Sequence, residues 1–181
     1  MRKLTMPELG RKSVSEFRNS EKNSLIIVLD NVRSAHNVGS VFRTADAFLA
    51  EAIYLCGITA QPPHREIQKT ALGAAETVTW KYFQTTSGAI DELKKNDYKI
   101  VSIEQTTKSI QLNEFIPSPG LKYAIVFGNE ATGVEDAVVK ASDFAIEIPQ
   151  AGTKHSLNLA VCAGIVVWSF FIKPGIEKIR K

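Results

Sequence analysis

The sequence predicts an α/β fold, built on a mostly parallel open sheet with helices on both faces. Short β-branched and apolar runs alternate with helical segments, which is typical of strands joined by helical crossovers. Several runs are continuously apolar rather than alternating, as expected of strands buried on both faces. With 181 residues, 44% of them hydrophobic, the chain has enough apolar material for one domain with a substantial core.

Six runs are predicted to be strands, at residues 24–30, 52–56, 77–83, 98–104, 122–128 and 144–149. Helices are predicted at residues 38–49, 87–95, 134–141 and 156–172. Asn37 and Ser87 stand at the starts of the first two helices, where their side chains can accept hydrogen bonds from unpaired N–H groups. The last helix contains the longest apolar stretch and is predicted to be buried.

Basic residues concentrate at the two ends of the chain. Residues 1–24 hold six Lys/Arg against three Glu, and the tail from Phe171 holds four against one. We therefore expect a basic extension over residues 1–23, one globular domain over 24–173 and a basic tail over 174–181. Both ends could attract a polyanion, although charged termini also serve solubility.

The cysteines and the apolar segments argue against a metal site, a disulfide-bonded secreted protein and a membrane protein. Cys56 and Cys162 lie far apart inside apolar runs, so they form neither a metal-ligand motif nor a disulfide framework. Buried free thiols suit a reducing cytosol. The N-terminus has no apolar signal core, and the stretch Leu157–Ile172 is shorter than the ~20 residues of a membrane span. We expect a cytoplasmic protein with no metal and no membrane partner.

Three predicted strands end in unusual loops, and in open α/β sheets ligands bind outside the carboxyl ends of the strands. The first loop follows Asp30 and enters a helix through Asn37 and Gly39, where a glycine permits close approach. Arg33 and Arg43 flank the start of this helix, and with its N–H groups they suit a phosphate. The same residue types also serve ordinary caps and turns.

The second loop follows the strand at 122–128 and places Glu130 between Gly128 and Gly133, after Asn129. A carboxylate held between glycines suits a cationic ligand or can orient a side chain opposite. The spacing fits neither the dinucleotide-binding GxGxxG nor the phosphate-binding GxxxxGK[ST] pattern, so both of those nucleotide sites are disfavoured.

The third loop leaves the last strand, turns at Gly152 and enters the apolar helix. Ser156 and Asn158 are predicted in the first turn of that helix, where they offer polar groups to a ligand. Ile148 and Leu157 would supply an apolar wall.

Together the three loops resemble the three motifs of the SpoU (TrmH-type) class of the SPOUT superfamily of RNA ribose 2′-O-methyltransferases. Their order and separations are similar to those of the family, and the likeness covers most of residues 25–170. The chain departs from the usual pattern at Gln150, where Met is common, and at Leu159 and Ala160, where Val-Ser is common. We expect no separate RNA-binding domain of the kind found in many relatives.

The resemblance implies a fold, a cofactor and an assembly. The C-terminal part of such domains is threaded into a deep trefoil knot, and the proteins act as homodimers, here with the helix at 157–172 in the interface. The implied cofactor is S-adenosylmethionine, with RNA, either tRNA or rRNA, as substrate and partner. The implied cofactor-binding residues are Gly128, Ile148 and Leu157, with Asn129, Gly133, Gly152 and Asn158 shaping the pocket.

The resemblance also implies catalytic residues, among which Arg43 acts on the acceptor side, on a cofactor held by the partner subunit. The family often treats this Arg as a base, but a guanidinium with a pKa above ~12 seldom gives up its proton. We therefore expect Arg43 to grip the target phosphate and stabilise the developing oxyanion, with Arg33 also contacting RNA. Asn37 and Glu130 would orient Arg43 and the ribose, and Ser156 and Asn158 would complete the site.

Two alternatives stay open at this point. One is a knotted methyltransferase that modifies a base rather than a ribose. The other is a catalytically silent RNA-binding or assembly module that has the same fold. His36 and His155 are expected to be solvent-facing loop residues, and His64 lies in a turn-rich loop that could touch RNA.

Overall fold

The structure, a computed structural model, describes residues 1–5 and 7–173, so the predicted basic tail at 174–181 lies outside the described residues. Within these described residues, seven strands form one sheet in the order β3-β2-β1-β6-β4-β7-β5, and every pairing between them is parallel. The strands are β1 (Asn23–Asp30), β2 (Ala50–Cys56), β3 (Trp80–Phe83), β4 (Tyr98–Ile103), β5 (Ile110–Gln111), β6 (Lys122–Phe127) and β7 (Phe144–Glu147).

Helices cover both faces of this sheet, as predicted. They are α1 (Val14–Asn19), α2 (Ala35–Ala47), α3 (Arg65–Ala71), α4 (Ala74–Thr77), α5 (Thr86–Lys95), α6 (Asp136–Ala141) and α7 (Leu159–Ile172), with a 3-10 turn at Pro7–Leu9. Alternate residues of β1 enter two separate cores: Leu29 packs with α2 and α7 on one face, and Val28 packs with α5 and α6 on the other. The continuous apolar runs therefore mark strands buried on both sides.

Several predicted boundaries were wrong for local reasons. Asn37 does not cap α2, because Ser34 accepts the N–H of Asn37 and holds that position. Thr85 rather than Ser87 caps α5. The predicted strand at 77–83 begins only at Trp80, since its first residue closes the short helix α4.

The last helix begins later and is less buried than predicted. It starts at Leu159, with Asn158 as its N-cap, so Ser156 lies in the preceding loop. One side packs into the core through residues such as Phe170. The other side leaves Val161 52%, Ile165 37% and Trp168 48% exposed. Among the described residues, no helix is long and apolar enough to cross a membrane.

Part of the predicted N-terminal extension packs on the domain. Ser13 and Glu16 form a reciprocal capping box that starts α1. Phe17 of this helix is 5% exposed and belongs to the core. Arg18 donates to the carbonyl of Glu76 at 2.6 Å, which ties α1 to the end of α4.

Candidate functional site

A cavity of about 550 Å³ opens at the carboxyl ends of β4, β6 and β7. It is lined by the loop after β6, the loop between β7 and α7, and the end of β4. Eight of the predicted site residues lie along it: Gly128, Asn129, Glu130, Gly133, Ile148, Ser156, Leu157 and Asn158. Gly152, Arg33, Asn37 and Arg43 are not among the residues that line it.

The loop after β6 is closed on itself by its own polar groups. The backbones of Asn129 and Gly133 exchange two hydrogen bonds of 2.9 Å, and the Asn129 side chain accepts the N–H of Ala131 at 2.8 Å. The Asn129 amide also donates to the carbonyl of Asn31, at the end of β1. A Cβ at Gly128 would lie 2.1 Å from the carbonyl carbon of Gly133, so only glycine permits this closure.

Glu130 reaches out of this loop to the start of α2. Its carboxylate accepts the N–H of Arg33 at 2.9 Å, the N–H of Ser34 at 3.1 Å and the side-chain amide of Asn37 at 2.8 Å. Burial by itself raises the pKa of Glu130, but the hydrogen bonds from Arg33, Asn37 and Ser34 outweigh it and lower the pKa. The carboxylate is therefore ionised at neutral pH and complements the positive end of the helix.

Asn158 completes a hydrogen-bonded chain that links all three loops. Its side-chain amide donates to the Oδ1 of Asn37 at 3.2 Å, and Asn37 in turn donates to Glu130. The Oδ1 of Asn158 accepts the N–H of Ala160 at 2.9 Å and so caps α7. We call these three residues, Asn158, Asn37 and Glu130, the amide–carboxylate chain. It fixes the starts of α2 and α7 against the cavity loop.

Both predicted RNA-binding arginines are exposed, and they precede and follow Asn37 in the sequence. Arg33 precedes α2, and Arg43 lies on its outer side. Within residues 1–5 and 7–173, neither guanidinium forms an ion pair or hydrogen bond. The expected orientation of Arg43 by Asn37 and Glu130 therefore does not occur through a hydrogen bond within one chain, because both of their side chains bond elsewhere.

Sequence reasoning missed Glu104 and Glu147, which also line the cavity. Glu104 accepts the N–H groups of Val134 and Gln105, both at 3.0 Å, and packs against Gly133. Glu104 ends the predicted strand at 98–104 and Glu147 lies two residues before the end of the one at 144–149, so their position near the carboxyl edge was the available signal. With Glu130 the cavity has three carboxylates, and no Lys, Arg or His of the described chain lines it.

Asp30 and Asn31 form a second unpredicted cluster behind the cavity. Asp30 is fully buried and accepts the N–H of Glu135 at 2.9 Å and the hydroxyl of Thr86. Asn31 donates to the Glu135 side chain at 2.7 Å. These contacts anchor the loop after β6 to the end of β1, so their role is structural support.

The cysteines and acidic groups do not indicate other chemistry. Burial raises the pKa of Cys56 to about 12 and that of Cys162 to about 11, so both stay protonated at neutral pH. In the part of the chain that the structure describes, no cluster of three His, Cys, Asp or Glu side chains could hold a metal ion.

Comparison with known proteins adds family evidence to this geometry. Residues 24–168 match the profile of the SpoU rRNA Methylase family. A TrmH-family protein of Staphylococcus saprophyticus is 29% identical over 160 residues, which are 88% of this chain and 63% of that protein. The chain thus spans less than two thirds of the length of this relative.

Solved structures of similar proteins share the fold. The A. aeolicus TrmH/SpoU tRNA modifying enzyme matches with a TM-score of 0.77 and 25% identity, over 87% of this chain and 79% of that one. An AdoMet-bound rRNA methyltransferase from Sinorhizobium meliloti matches with a TM-score of 0.76 and 26% identity, over 85% of this chain and 59% of that one. These similarities confirm the predicted parallel α/β class.

Proposed function

Because the chain belongs to the SpoU rRNA methylase family, we propose that it transfers a methyl group from S-adenosylmethionine to a ribose 2′-hydroxyl of tRNA or rRNA. The observation that carries this proposal is the amide–carboxylate chain. It brings the three motifs together at the cavity and sets the helix of Arg43 beside it. All of the residues to which the resemblance assigns chemistry are present.

The cavity suits S-adenosylmethionine in size, shape and charge. Its volume of about 550 Å³ falls within the range of small-molecule sites, and Ile148, Leu157 and Phe127 provide apolar walls. The carboxylates of Glu104 and Glu147 favour a ligand with a positive sulfonium and an ammonium group. When bound, this cofactor supplies an activated methyl group. The S. meliloti relative is described with the same cofactor bound.

The chain's own residues would position the acceptor. Arg43 and Arg33 are exposed and carry donors that match an RNA phosphate in a bidentate manner. Arg43 would hold that phosphate and stabilise negative charge on the attacking hydroxyl oxygen, while the proton leaves through water or the phosphate. Ser156, which is exposed on the cavity rim, has its hydroxyl available to the ribose. The apolar walls of the cavity favour methyl transfer, because the positive charge of the sulfonium is dispersed during that step.

We further propose that two copies associate through α7, with the Arg43 of one copy acting at the cavity of the other. Val161, Ile165 and Trp168 recur at helical spacing and form one exposed apolar side. Arg43 does not line the cavity of its own chain, which supports a site shared between copies. Light scattering should give twice the 19.9 kDa chain mass, and Ile165→Glu should give a single chain.

A deep trefoil knot belongs to the same proposal. The loops after β6 and after β7 line one cavity, and Asn37 bonds to Asn158 of one and Glu130 of the other, so the two loops are held close together as in a threaded arrangement. A crystal structure that traces the chain from β6 through residue 181 would decide whether the C-terminal segment passes through the earlier loop.

The decisive experiment is methyl transfer to undermodified bulk tRNA and bulk rRNA from S-adenosylmethionine labelled in its methyl group. A 2′-O-methyl group blocks alkaline cleavage, so label should appear in alkali-resistant dinucleotides. Label in mononucleotides would instead identify a base methyltransferase. No label, in a protein that binds the cofactor, would identify a silent RNA-binding module.

The role of Arg43 is tested by two substitutions. Arg43→Ala should lower the methyl-transfer rate by about 10²–10³-fold, the typical effect of losing one oxyanion-stabilising donor, with cofactor affinity unchanged. Arg43→Lys should also be strongly impaired, because lysine cannot make a bidentate phosphate contact. Near-normal activity of Arg43→Lys with a higher optimum pH would rule out the bidentate grip.

A further inference from the structure

Helix α3 packs closely against α2, the helix that carries Arg43. A Cβ at Gly39 would lie 2.1 Å from the hydroxyl of Thr70 and 2.4 Å from the carbonyl of Ile67, so glycine lets the two helices meet. The Thr70 hydroxyl also donates to the carbonyl of His36 at 3.0 Å. This contact gives α3 a fixed position relative to Arg43, which lies one turn further along α2 than Gly39.

The turn that ends α3 carries an unusual leucine. Leu72 has φ +49°, a left-handed conformation that disfavours a side chain, and it is 69% exposed. It belongs to neither core. A glycine would fit this backbone without strain, so the leucine side chain is poorly explained by the stability of the single chain.

This turn and Arg43 occupy the same stretch of the α2 surface. Gly39 meets Thr70 on one side of the turn, and beyond it the Thr77 hydroxyl donates to Asp46 at 2.7 Å. Along the sequence, Leu72 lies between Thr70 and Thr77. Arg43 lies between Gly39 and Asp46, the α2 residues that these two threonines contact. The exposed leucine therefore lies on a segment that runs along α2 between two contacts that flank Arg43.

Exposed positive side chains are carried by the two helices that flank this turn in the fold. Arg65 and Lys69 lie on the exposed side of α3, one helical turn apart. The acidic residue of this helix, Glu66, is paired with both Lys69 at 2.7 Å and His36 at 2.8 Å. Together with Arg33 and Arg43, the exposed surface of α2 and α3 is net positive; we call these four cations and Leu72 the α2–α3 face.

We propose that α3 is a second RNA-contacting element, in which Arg65 and Lys69 hold phosphates flanking the target nucleotide and Leu72 packs against a neighbouring base. This inference rests on the proposed function and extends it to residues that the family motifs do not include. Cations beside an exposed apolar side chain match a phosphate backbone with splayed bases, since RNA is recognised mainly through unstacked nucleotides. A two-fold contact between copies through this face would instead bring the same cations of both copies together.

The test measures binding of bulk tRNA and bulk rRNA over a series of salt concentrations. The double variant Arg65→Ala/Lys69→Ala should weaken RNA binding. It should also reduce the magnitude of the slope of log affinity against log salt concentration by about 1.5, because each of the two lost phosphate contacts contributes roughly 0.7–0.9. The matched control is Lys95→Ala/Lys140→Ala, which removes two exposed cations from α5 and α6 on the opposite face of the sheet. An equal loss of slope in the control would overturn the proposal.

Leu72→Gly separates recognition from folding. It should keep or raise the melting temperature because it relieves the left-handed strain, yet weaken RNA binding by about fivefold through lost apolar contact. Unchanged RNA affinity, or a loss of the dimer in light scattering, would overturn a role in RNA contact. If wild type binds RNA and transfers methyl groups while these variants match it, the α3 inference fails alone; if wild type transfers no label, the proposed function fails.

Discussion

The cavity and the α2–α3 face differ in charge and in construction. The cavity is lined by three glutamates with no basic side chain among its described residues, whereas the face carries exposed arginines and a lysine. The cavity is shaped by backbone closure at Gly128 and by hydrogen bonds to main-chain N–H groups. The face consists of long side chains that project into solvent.

This difference shows how one small domain can bind two ligands of opposite charge. A cationic cofactor is drawn to the carboxylates, and an RNA backbone is drawn to the guanidinium and ammonium groups. The amide–carboxylate chain connects the regions, since Glu130 belongs to the cavity loop and bonds to the start of α2. Substitutions should therefore affect one ligand each, except along this chain.

The largest effect expected on ligand binding comes from a methyl group that displaces the backbone of the cavity loop. Gly128→Ala places a Cβ 2.1 Å from two backbone atoms, the carbonyl carbon of Gly133 and the nitrogen of Val134, and neither can yield as a side chain would. Overpacking of this kind is worth about 1–3 kcal/mol, so calorimetric affinity for S-adenosylmethionine should fall by up to about a hundredfold.

Gly152→Ala is the matched control, because Gly152, although expected to shape the pocket, does not line the cavity, and nothing lies within 4 Å of its added Cβ. It should leave cofactor affinity within about twofold of wild type. RNA binding by Gly128→Ala should change much less than cofactor binding. An equal loss of both affinities would mean that the two regions are not separable.

A smaller effect is expected where the two regions join. Glu130→Gln replaces an acceptor oxygen with a donor that faces N–H groups, which should lower the free energy of unfolding by about 1 kcal/mol at pH 7, because water offsets part of the loss at this exposed side chain. The folded-state pKa of Glu130 is lowered, so the carboxylate stabilises the fold above about pH 4.3, the ordinary glutamate value. This contribution is lost as the pH falls through the lower folded-state pKa.

Urea denaturation at several pH values checks this prediction. The difference in stability between wild type and Glu130→Gln should shrink steadily below pH 4. Glu114→Gln, at an exposed position away from the cavity, should change stability little at any pH. A difference for Glu130→Gln that does not depend on pH would contradict the role given to its charge.

The smallest effect tests the charge of the cavity alone. Glu104→Gln should weaken S-adenosylmethionine by about fivefold, near 1 kcal/mol for one partly exposed charge, and weaken the neutral product S-adenosylhomocysteine less. The ratio of the two affinities isolates the sulfonium charge from any distortion of the loop. Equal weakening of both ligands would show that Glu104 acts only by holding Val134.

The sequence was most informative where glycine and asparagine interrupt apolar runs at strand ends. Such interruptions are local, so the three loops, the fold class and eight cavity-lining residues could be predicted from them. Helices α3 and α4 were missed because Leu72 and Gly73 split a short helical stretch into pieces too brief to show a period.

Long-range contacts explain the remaining differences. Asn37 was expected to cap α2, but its partner is Glu130, 93 residues away along the chain. Glu104 was hidden at the end of a predicted strand, since its importance depends on the position of Val134 after β6. The exposed side of α7 could not be predicted either, because every residue around that helix is apolar or small and only packing chooses the buried side.

The amide–carboxylate chain also has a consequence for the evolutionary history of the domain. Asn158 donates to Asn37, which donates to Glu130, so changing any one member leaves a polar group of its neighbour without a partner. Single replacements along this path are disfavoured even where a coordinated set would be neutral. Related chains should therefore retain or exchange these three positions together, while exposed cations remote from both ligand regions, such as Lys95 and Lys140, drift independently.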